Sequence, residues 1–543
     1  MDETPVIIIG GGPVGLATAL DLAWRGRRST VLEQDPGTGL VMLAKAGTLN
    51  ERTLEILRRW GMADAVANYG FPDDFPRDNI YCTSLNGFLI GRDPVPSTRD
   101  RKLPEGCTEM LRKCPQFVFD PMLAKAVLDT GLVDLRYNAR FDDIAQDAEG
   151  VTVTYTDRTS GRRVALRAPY AVACDGSASR ARESLGIAFD GLLLSYSVSA
   201  MVKVGKLSDH HPLPEGERYM FIGEQGTWAN LSSVDGKELW RFTLIGSDHR
   251  VDLEKLDMTA EIRRAFGRED IPFEVLRYMP WRRSQGVART FRAGRVLLAG
   301  DSAHTTSPTG GHGLNTGLGD SWGAGWMLDA LLGGWGGPGL LEAYGAERKP
   351  VAIRNSSTST RNFNVWTGSS EDWALVMQAG AAGDAARARV GAHLSASLYQ
   401  EWHSLGVGMG YRYEGSPIIV ADGTPATPDD PSVYIQTARP GHRAPHVWLA
   451  PGRSTIDLFG KSFVLLRFGA TPADSGPLEA AASACGMPLQ VVDIDHPEAK
   501  RLYERRMVLV RPDDHVAWRG DTLPADAQAL IDTVRGARQA GAA

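Results

Sequence analysis

Three short runs of glycine and acid carry the first chemistry legible in this chain. Gly10-Gly11-Gly12-Pro13-Val14-Gly15 fits a GxGxxG turn, and Glu33 follows 23 residues after Gly10. In such a turn Gly10 permits a tight reversal, Gly12 lets a pyrophosphate touch the backbone, and Gly15 lets a helix pack closely on a strand. The helix start adds unpaired N–H groups and the positive end of a dipole, and an acid placed like Glu33 accepts hydrogen bonds from a ribose. The second run is Cys174-Asp175-Gly176-Ser177-Ala178-Ser179-Arg180-Ala181-Arg182. The third is Gly300-Asp301-Ser302-Ala303-His304, continuing through Pro308-Thr309-Gly310-Gly311-His312-Gly313-Leu314-Asn315 to Asp320. An Asp beside a glycine at a strand end can accept from a ribose or ribitol hydroxyl. A glycine turn opening a helix can present N–H groups to an electron-rich heterocycle.

These runs need elements to hold them. Residues 6–9 and 29–32 read as strands flanking a helix that ends near residue 25, a βαβ start. Helices are expected at 50–60 and 121–130, with strands at 133–137 and 151–155. Between about 187 and 289 the pattern turns to strand alternation at 197–204, 219–223 and 238–246, with one helix at 259–266. Its many aromatics at period two read as sheet core. Helical sequence returns at 322–332 and 340–367, and 415–431 is a Pro/Gly/Asp-rich linker candidate. Strands at 454–466, 489–494 and 507–511 suggest a small terminal α/β domain.

The expected fold is therefore α/β, a Rossmann-like domain with an inserted β-sheet. Its expected parts are 1–186, 187–289, 290–414, the linker 415–431, and 432–543. A net charge of −6 over 543 residues gives no basic surplus for nucleic acid. The five cysteines, Cys82, Cys107, Cys114, Cys174 and Cys485, form no CxxC pair. No disulfide framework or metal site is expected, and a reducing cytoplasm is the default. The apolar stretch 6–24 holds four glycines and Asp21, so it reads as a buried strand and helix rather than a membrane span.

In order and spacing, the three runs resemble the p-hydroxybenzoate hydroxylase-like, single-component FAD-dependent aromatic hydroxylases, over about residues 5–350. The Lys45-Ala46-Gly47 and Asn50-Glu51-Arg52-Thr53-Leu54-Glu55 stretches, Pro115-Gln116, and Tyr344 with Glu347-Arg348-Lys349-Pro350 extend the likeness. In the tail, the likeness is carried by Ala438-Arg439-Pro440-Gly441-His442-Arg443, Ser454-Thr455-Ile456-Asp457-Leu458-Phe459-Gly460 and Arg511-Pro512-Asp513-Asp514-His515. These resemble the subgroup with a thioredoxin-like C-terminal domain, which includes phenol, phenylpropionate and aromatic-polyketide hydroxylases.

The resemblance implies that Gly10, Gly12, Pro13, Val14, Gly15, Glu33 and Gln34 hold the ADP half of FAD. It places Asp301 at the ribitol–pyrophosphate region and Gly311, Gly313, Leu314 and Asn315 against the isoalloxazine. Gln116 resembles a flavin-side glutamine, Asp175 and Arg182 belong to a motif serving FAD and the nicotinamide cofactor, and Pro308 borders the oxygen and substrate pocket. Lys45 stands where the family usually has Arg, a point charge in place of a planar fork. Cys485 is alone in the terminal domain, so that domain cannot exchange a dithiol and reads as structural or as a dimer surface.

The activity implied is aromatic hydroxylation. NADPH or NADH reduces the flavin, O2 adds at its C4a carbon, and a phenolic ring attacks the distal peroxide oxygen. A phenolate is the better nucleophile, so a base is expected, as is a dry pocket. His304, His312, Pro308, Tyr219 and Arg241 are the candidates near this chemistry, with His249; Tyr219, Arg241 and His249 read more readily as packing or surface residues. A Baeyer–Villiger-type oxygenation of a polycyclic aromatic polyketide is the alternative on the same fold. The WxWxIP of flavin halogenases and the FxGxxxHxxxW of type I Baeyer–Villiger enzymes are absent. A non-catalytic nucleotide-binding scaffold fits the intact loops poorly. The expected partners are a phenolic small molecule, O2 and a possible second copy, without nucleic acid or membrane.

Overall fold

A computed structural model describes residues 2–38, 46–368 and 370–537. Lys45 lies outside the described residues. The first strand, Val6–Ile9, is wholly buried in a six-stranded sheet. Across that sheet run Arg292–Ala293, Val296–Leu298, Tyr170–Ala173, Val6–Ile9, Ser29–Leu32 and Val133–Arg136. Every pairing from Val296–Leu298 onward is parallel. Helices such as Pro13–Trp24 pack on it, as do the antiparallel strands Ala139–Gln146 and Arg163–Ala168, and burial on both sides explains continuous apolar runs such as Val-Ile-Ile-Ile instead of alternation.

Parallel register explains why distant motifs meet. Ile9 is level with Ala173 and Leu32, and Ala173 with Leu298. The next residues in each chain segment, Gly10, Glu33, Cys174 and Ala299, are therefore delivered to one carboxyl edge, where open α/β sheets bind ligands. The helix Pro13–Trp24 starts on a proline, whose fixed φ and missing N–H suit a first turn. A Cβ on Gly15 would stand 2.0 Å from the Gly10 carbonyl oxygen, so the strand-to-helix turn closes on bare backbone.

The helix His312–Leu332 begins ten residues before the expected span. Its glycines let it lie against Pro13–Trp24: a Cβ on Gly325 would fall 1.9 Å from Asp21 Oδ2. Gln116–Asp129 likewise starts five residues early and carries Pro121 inside it. Glycine and proline signals thus understated two helices that tertiary packing secures.

The second large sheet has eight strands, in the order His304–Thr305, Glu274–Ala288, Phe189–Lys203, Leu239–Ser247, Gly226–Ser233, Arg218–Gly223, Asn79–Cys82 and Leu89–Asp93. Three of these fall outside the expected span 187–289. Asn79–Cys82 joins by parallel pairing with Arg218–Gly223, a long-range contact with no local sequence signal. One face packs Tyr219, Phe221, Trp240 and Phe242 against the helix Met258–Phe266. The other face packs Met220 and Ile222 against the helix Ala381–Trp402, and near Arg218 it opens onto the cleft described below.

The terminal domain has a four-stranded sheet, ordered Leu489–Ile494, Phe463–Phe468, Met507–Val510 and Val516–Gly520. The first pair is parallel and the others antiparallel. With helices Gly476–Ala484, Pro497–Tyr503 and Ala527–Val534 this is a thioredoxin-like arrangement. Residues 415–431 contain neither helix nor strand, yet they are a packed strap rather than a loose linker. Ile418 is buried, the Val420 N–H donates to the Ala517 carbonyl, and Arg354 pairs with Asp429. No described helix is long and apolar enough to cross a membrane.

Candidate active site

At the carboxyl edge of the parallel sheet lies a cleft of about 1050 Å³. All three motifs border it, through Gly10–Val14, Glu33 and Gln34, then Asp175 and Gly176, then Asp301, Pro308 and Gly310–Asn315. Residues from strand ends of the large sheet also line it, as do Tyr399, Glu401 and Trp402.

The motif residues are held firmly. The Glu33 carboxylate accepts from the Gly11 N–H at 2.6 Å and the Asp35 N–H at 2.9 Å. Asn315 Oδ1 accepts from the Asn50 N–H at 2.9 Å and from Thr53 Oγ1 at 2.7 Å, while its amide donates to the Thr48 and Gly311 carbonyls. That one side chain staples the helix His312–Leu332 to the residues before helix Glu51–Arg59. Gln116 Nε2 donates to Asp120 Oδ2 at 3.0 Å beside the cleft.

The glycines test whether a dinucleotide fits. At Gly12, Gly176 and Gly311, all lining the cleft, an added Cβ would meet no protein atom within 4 Å. The backbone there faces a cradle of open space, unlike Gly10 and Gly15, where backbone carbonyl oxygens stand at 2.4 and 2.0 Å. Bare backbone, a helix start and a fixed acid at one edge suit the phosphates and ribose of FAD, and Gly310–Asn315 suits a flat ring.

Several expected site residues sit elsewhere. Arg182 is not on the cleft wall; it donates to the Ser302 carbonyl and lies over the Phe189 ring, tying the second motif to the third. Asp175 lines the cleft, but its carboxylate accepts from Ser179 Oγ and the Ala181 N–H at the start of the helix Arg180–Ser184. Burial pushes that carboxyl up. His304 is buried away from the cleft, 2.8 Å from Asp320 Oδ2. Burial raises Asp320 too, but Arg348 and His304 outweigh it and hold the carboxyl below its ordinary range. Tyr219 packs in the sheet core, donating to the Pro214 carbonyl, and burial pushes its phenol up. His249 is exposed. Pro308, His312 and Arg241 do line the cleft. Burial, with Arg354, pushes His312 down to about 4, so it is a neutral imidazole and a weak base.

A polar wall went unread in the sequence. Asn79, Arg218, Ser232 and Arg241 occupy one register row across four adjacent strands, and all four line the cleft. Arg218 Nε donates to Ser232 Oγ at 3.2 Å. Behind them Glu217 takes Arg77 Nε and Lys113 Nζ, each at 2.6 Å. Burial would raise Glu217, but these two cations hold it well below the ordinary carboxylate range. Burial pushes Lys113 down to about 8, and burial with Arg218 pushes Arg241 down to about 10. The available signal was Arg218, Ser232 and Arg241 recurring at the cleft ends of otherwise apolar strands. Glu401 had none, because a charged residue on a helix is ordinary.

Two protein-family models match the chain, one described as FAD binding domain over residues 3–359 and one as aromatic-ring hydroxylase, C-terminal, over residues 437–537. A putative polyketide hydroxylase of Streptomyces halstedii is 32% identical, over 98% of this chain and 96% of that protein. The phenol 2-monooxygenase of Pseudomonas sp. (strain EST1001) is 30% identical, over 98% and 93%. Among solved structures, the rebeccamycin biosynthetic enzyme RebC with reduced flavin superposes with a TM-score of 0.90 at 38% identity, covering 99% of each chain. A chromopyrrolic acid-soaked RebC with bound 7-carboxy-K252c gives a TM-score of 0.89 at 38% identity, covering 99% of this chain and 100% of that one.

Proposed function

This chain belongs to the FAD-dependent aromatic and polyketide monooxygenase family, and from that premise we propose that it hydroxylates a phenolic or polycyclic aromatic bearing a carboxylate, using NAD(P)H and O2. Bound in the cleft, FAD would supply the redox chemistry that activates O2 and delivers one oxygen atom. Gly10–Gly15, Glu33 and Asp301 would hold its nucleotide and ribitol portions. Gly311, Gly313, Leu314 and Asn315 would lie against its ring.

The observation that carries the substrate class is the Arg218, Ser232 and Arg241 row lining the same cleft as the Gly310–Asn315 turn. Neighbouring strands are about 4.8 Å apart, so the two arginine strands are about 10 Å apart. That spacing suits two oxygen-bearing edges of one large planar molecule. Guanidiniums favour carboxylates through paired N–H donors, and since burial pushes Arg241 down to about 10, an anion beside it would favour its charged form. RebC, whose complex was prepared with chromopyrrolic acid and holds 7-carboxy-K252c, supports an acidic aromatic. The neutral His312 adds no charge to the Gly310–Asn315 turn, which suits electron-rich ring systems.

The test is substrate-stimulated NAD(P)H oxidation over matched aromatics with and without a carboxylate, with H2O2 measured alongside. The expected result is product heavier by one oxygen and a KM at least about tenfold lower for the carboxylated member of a pair, the scale of one charge-assisted contact. Arg241→Gln should erase that preference. Equal KM values within every pair would remove the carboxylate from the reading.

A further inference from the structure

Hydroxylation of an electron-rich ring leaves a substrate proton without an acceptor among the motif residues, since Tyr219 and His304 stand away from the cleft and His312 is a weak base. One carboxylate on the cleft wall has the right place. Glu401 lies in the last turn of the helix Ala381–Trp402, is 4% exposed, and borders the cleft. Its Oε2 accepts from Trp366 Nε1 at 2.8 Å, which fixes the carboxyl plane. Its Oε1 is buried and ion-pairs with Arg218 Nη1 at 3.5 Å, without a close side-chain hydrogen bond. The backbone N–H of Gly310, first residue of the proposed flavin-facing turn, donates a hydrogen bond to the same carboxyl, which leaves a carboxylate's further lone pairs open. A helix remote in sequence thus brings an oxygen with spare hydrogen-bonding capacity between the arginine row and that turn.

We propose that Glu401 is the catalytic base, taking the proton from an O–H or N–H conjugated with the ring that is oxygenated. This rests on the hydroxylation reading above. The O–H or N–H bond of the substrate breaks, an O–H bond forms on Glu401 Oε1, and the electron pair stays on the substrate heteroatom and feeds the ring. No electron is gained or lost in this step, and the carboxylic acid can return the proton as product leaves.

The surroundings tune the group. Arg218 from strand Arg218–Gly223 and Arg283 from strand Glu274–Ala288 both attract the carboxylate. Tyr81 from strand Asn79–Cys82 is near enough to feel its charge but donates to Asp93. His312 follows the Gly310 turn as a neutral ring, and His403 lies just beyond the helix end, stacked on Tyr399. Burial wins over the two arginines and the Trp366 N–H, lifting Glu401 to about 7. A base at that value is half-ionised near neutrality, where proton transfer is most effective.

The experiment compares wild type, Glu401→Gln and Glu401→Asp as FAD-loaded enzymes, with the carboxylated phenol that best stimulates wild-type NAD(P)H oxidation. Two readouts are taken across pH: kcat for hydroxylated product, and the phenolate absorbance of the phenol bound to oxidised enzyme without turnover. Wild type should show kcat rising through a limb near pH 7 and a phenolate band rising with it. Glu401→Gln should lose both, with kcat at pH 8 down about 100-fold, the scale of general base catalysis, and KM within about threefold. Glu401→Asp should keep the limb at reduced kcat. A Gln variant that still binds phenolate along the wild-type limb overturns the assignment. If Glu401→Gln fails to retain FAD, Arg218→Met answers instead: removing that cation should move the limb to higher pH, and an unmoved limb overturns the proposal. If no phenol is oxygenated by wild type, the parent reading has failed, and the Glu401 assignment fails with it.

Discussion

Two regions of this molecule are built from the same materials, arginines and carboxylates buried together, and they balance them differently. Where the terminal domain meets the FAD-binding part, Arg52, Arg59, Arg348, Arg443 and Arg511 are matched by Glu55, Asp320, Glu347, Asp513 and Asp514. Arg443 grips Glu55 through two bonds of 2.6 and 2.9 Å, Arg511 grips Glu347 at 2.5 and 2.8 Å, and Arg52 reaches Asp514 at 2.8 Å. On the sheet side of the cleft, Arg77, Arg101, Lys113, Arg218 and Arg241 face Glu51, Glu217 and Glu401. Burial holds Glu51 and Glu401 above their ordinary range. The seam's charges lie between two parts of the protein, whereas those of the cleft stand on a wall that a ligand can reach. Buried pairs across a seam fix two domains, and charged groups on a cleft wall can act on a ligand.

The largest expected effect breaks the seam. Arg511→Met leaves Glu347 and Asp513 buried without their shared cation, which should cost about 3–5 kcal/mol, read by urea denaturation. Arg241→Met removes a cation that burial already disfavours and should cost less than about 1 kcal/mol. Equal losses would erase the distinction between the two regions.

A pH series sharpens the same contrast. Glu401 titrates near 7 in the folded protein, above its ordinary 4.5. The folded state therefore holds the extra proton between those values, and stability is lost as pH rises from about 4.5 to about 7. Glu401→Gln should stabilise the protein by up to about 3 kcal/mol above pH 7 and by nothing below pH 4.5. Asp513 is the opposite case. Burial opposes ionisation there, but Arg511 and His515 win and hold the carboxyl far down, so its contribution is present above the ordinary carboxylate value and lost only in strong acid. Parallel pH profiles for the Glu401→Gln and Asp513→Asn differences would contradict this.

The sequence was legible where chemistry is local. Gly10, Glu33, Asp175 and Asp301 follow strands whose apolar runs can be read directly, and parallel register then forces them onto one edge. What escaped notice depends on long-range pairing. Asn79 enters the donor row through a parallel contact with Arg218, and Glu401 reaches the cleft because its helix packs on Met220 and Ile222. Neither placement is written in spacing. His304 misled for a related reason: it adjoins a cofactor motif in sequence, yet its ring serves Asp320 and the helix behind the sheet. Proximity along the chain marked the right turn, and the direction of each side chain was set by packing.

A finer contrast separates two glycines three residues apart. Gly15→Ala drives a Cβ into the Gly10 carbonyl oxygen at 2.0 Å, so it should lower stability and flavin retention together, by about 1–3 kcal/mol in folding. Gly12→Ala has room, with no atom within 4 Å and a φ of −72° that any residue adopts. FAD-free Gly12→Ala should therefore unfold within about 1 kcal/mol of wild type. If the space before Gly12 is where a pyrophosphate meets the backbone, FAD affinity should still fall at least about tenfold, or about 1.4 kcal/mol. Titration of FAD into each apoprotein, followed by flavin fluorescence, separates the cases. Wild-type affinity in Gly12→Ala would place the phosphates elsewhere along the cleft, and the cofactor pose argued from these glycines would have to be redrawn.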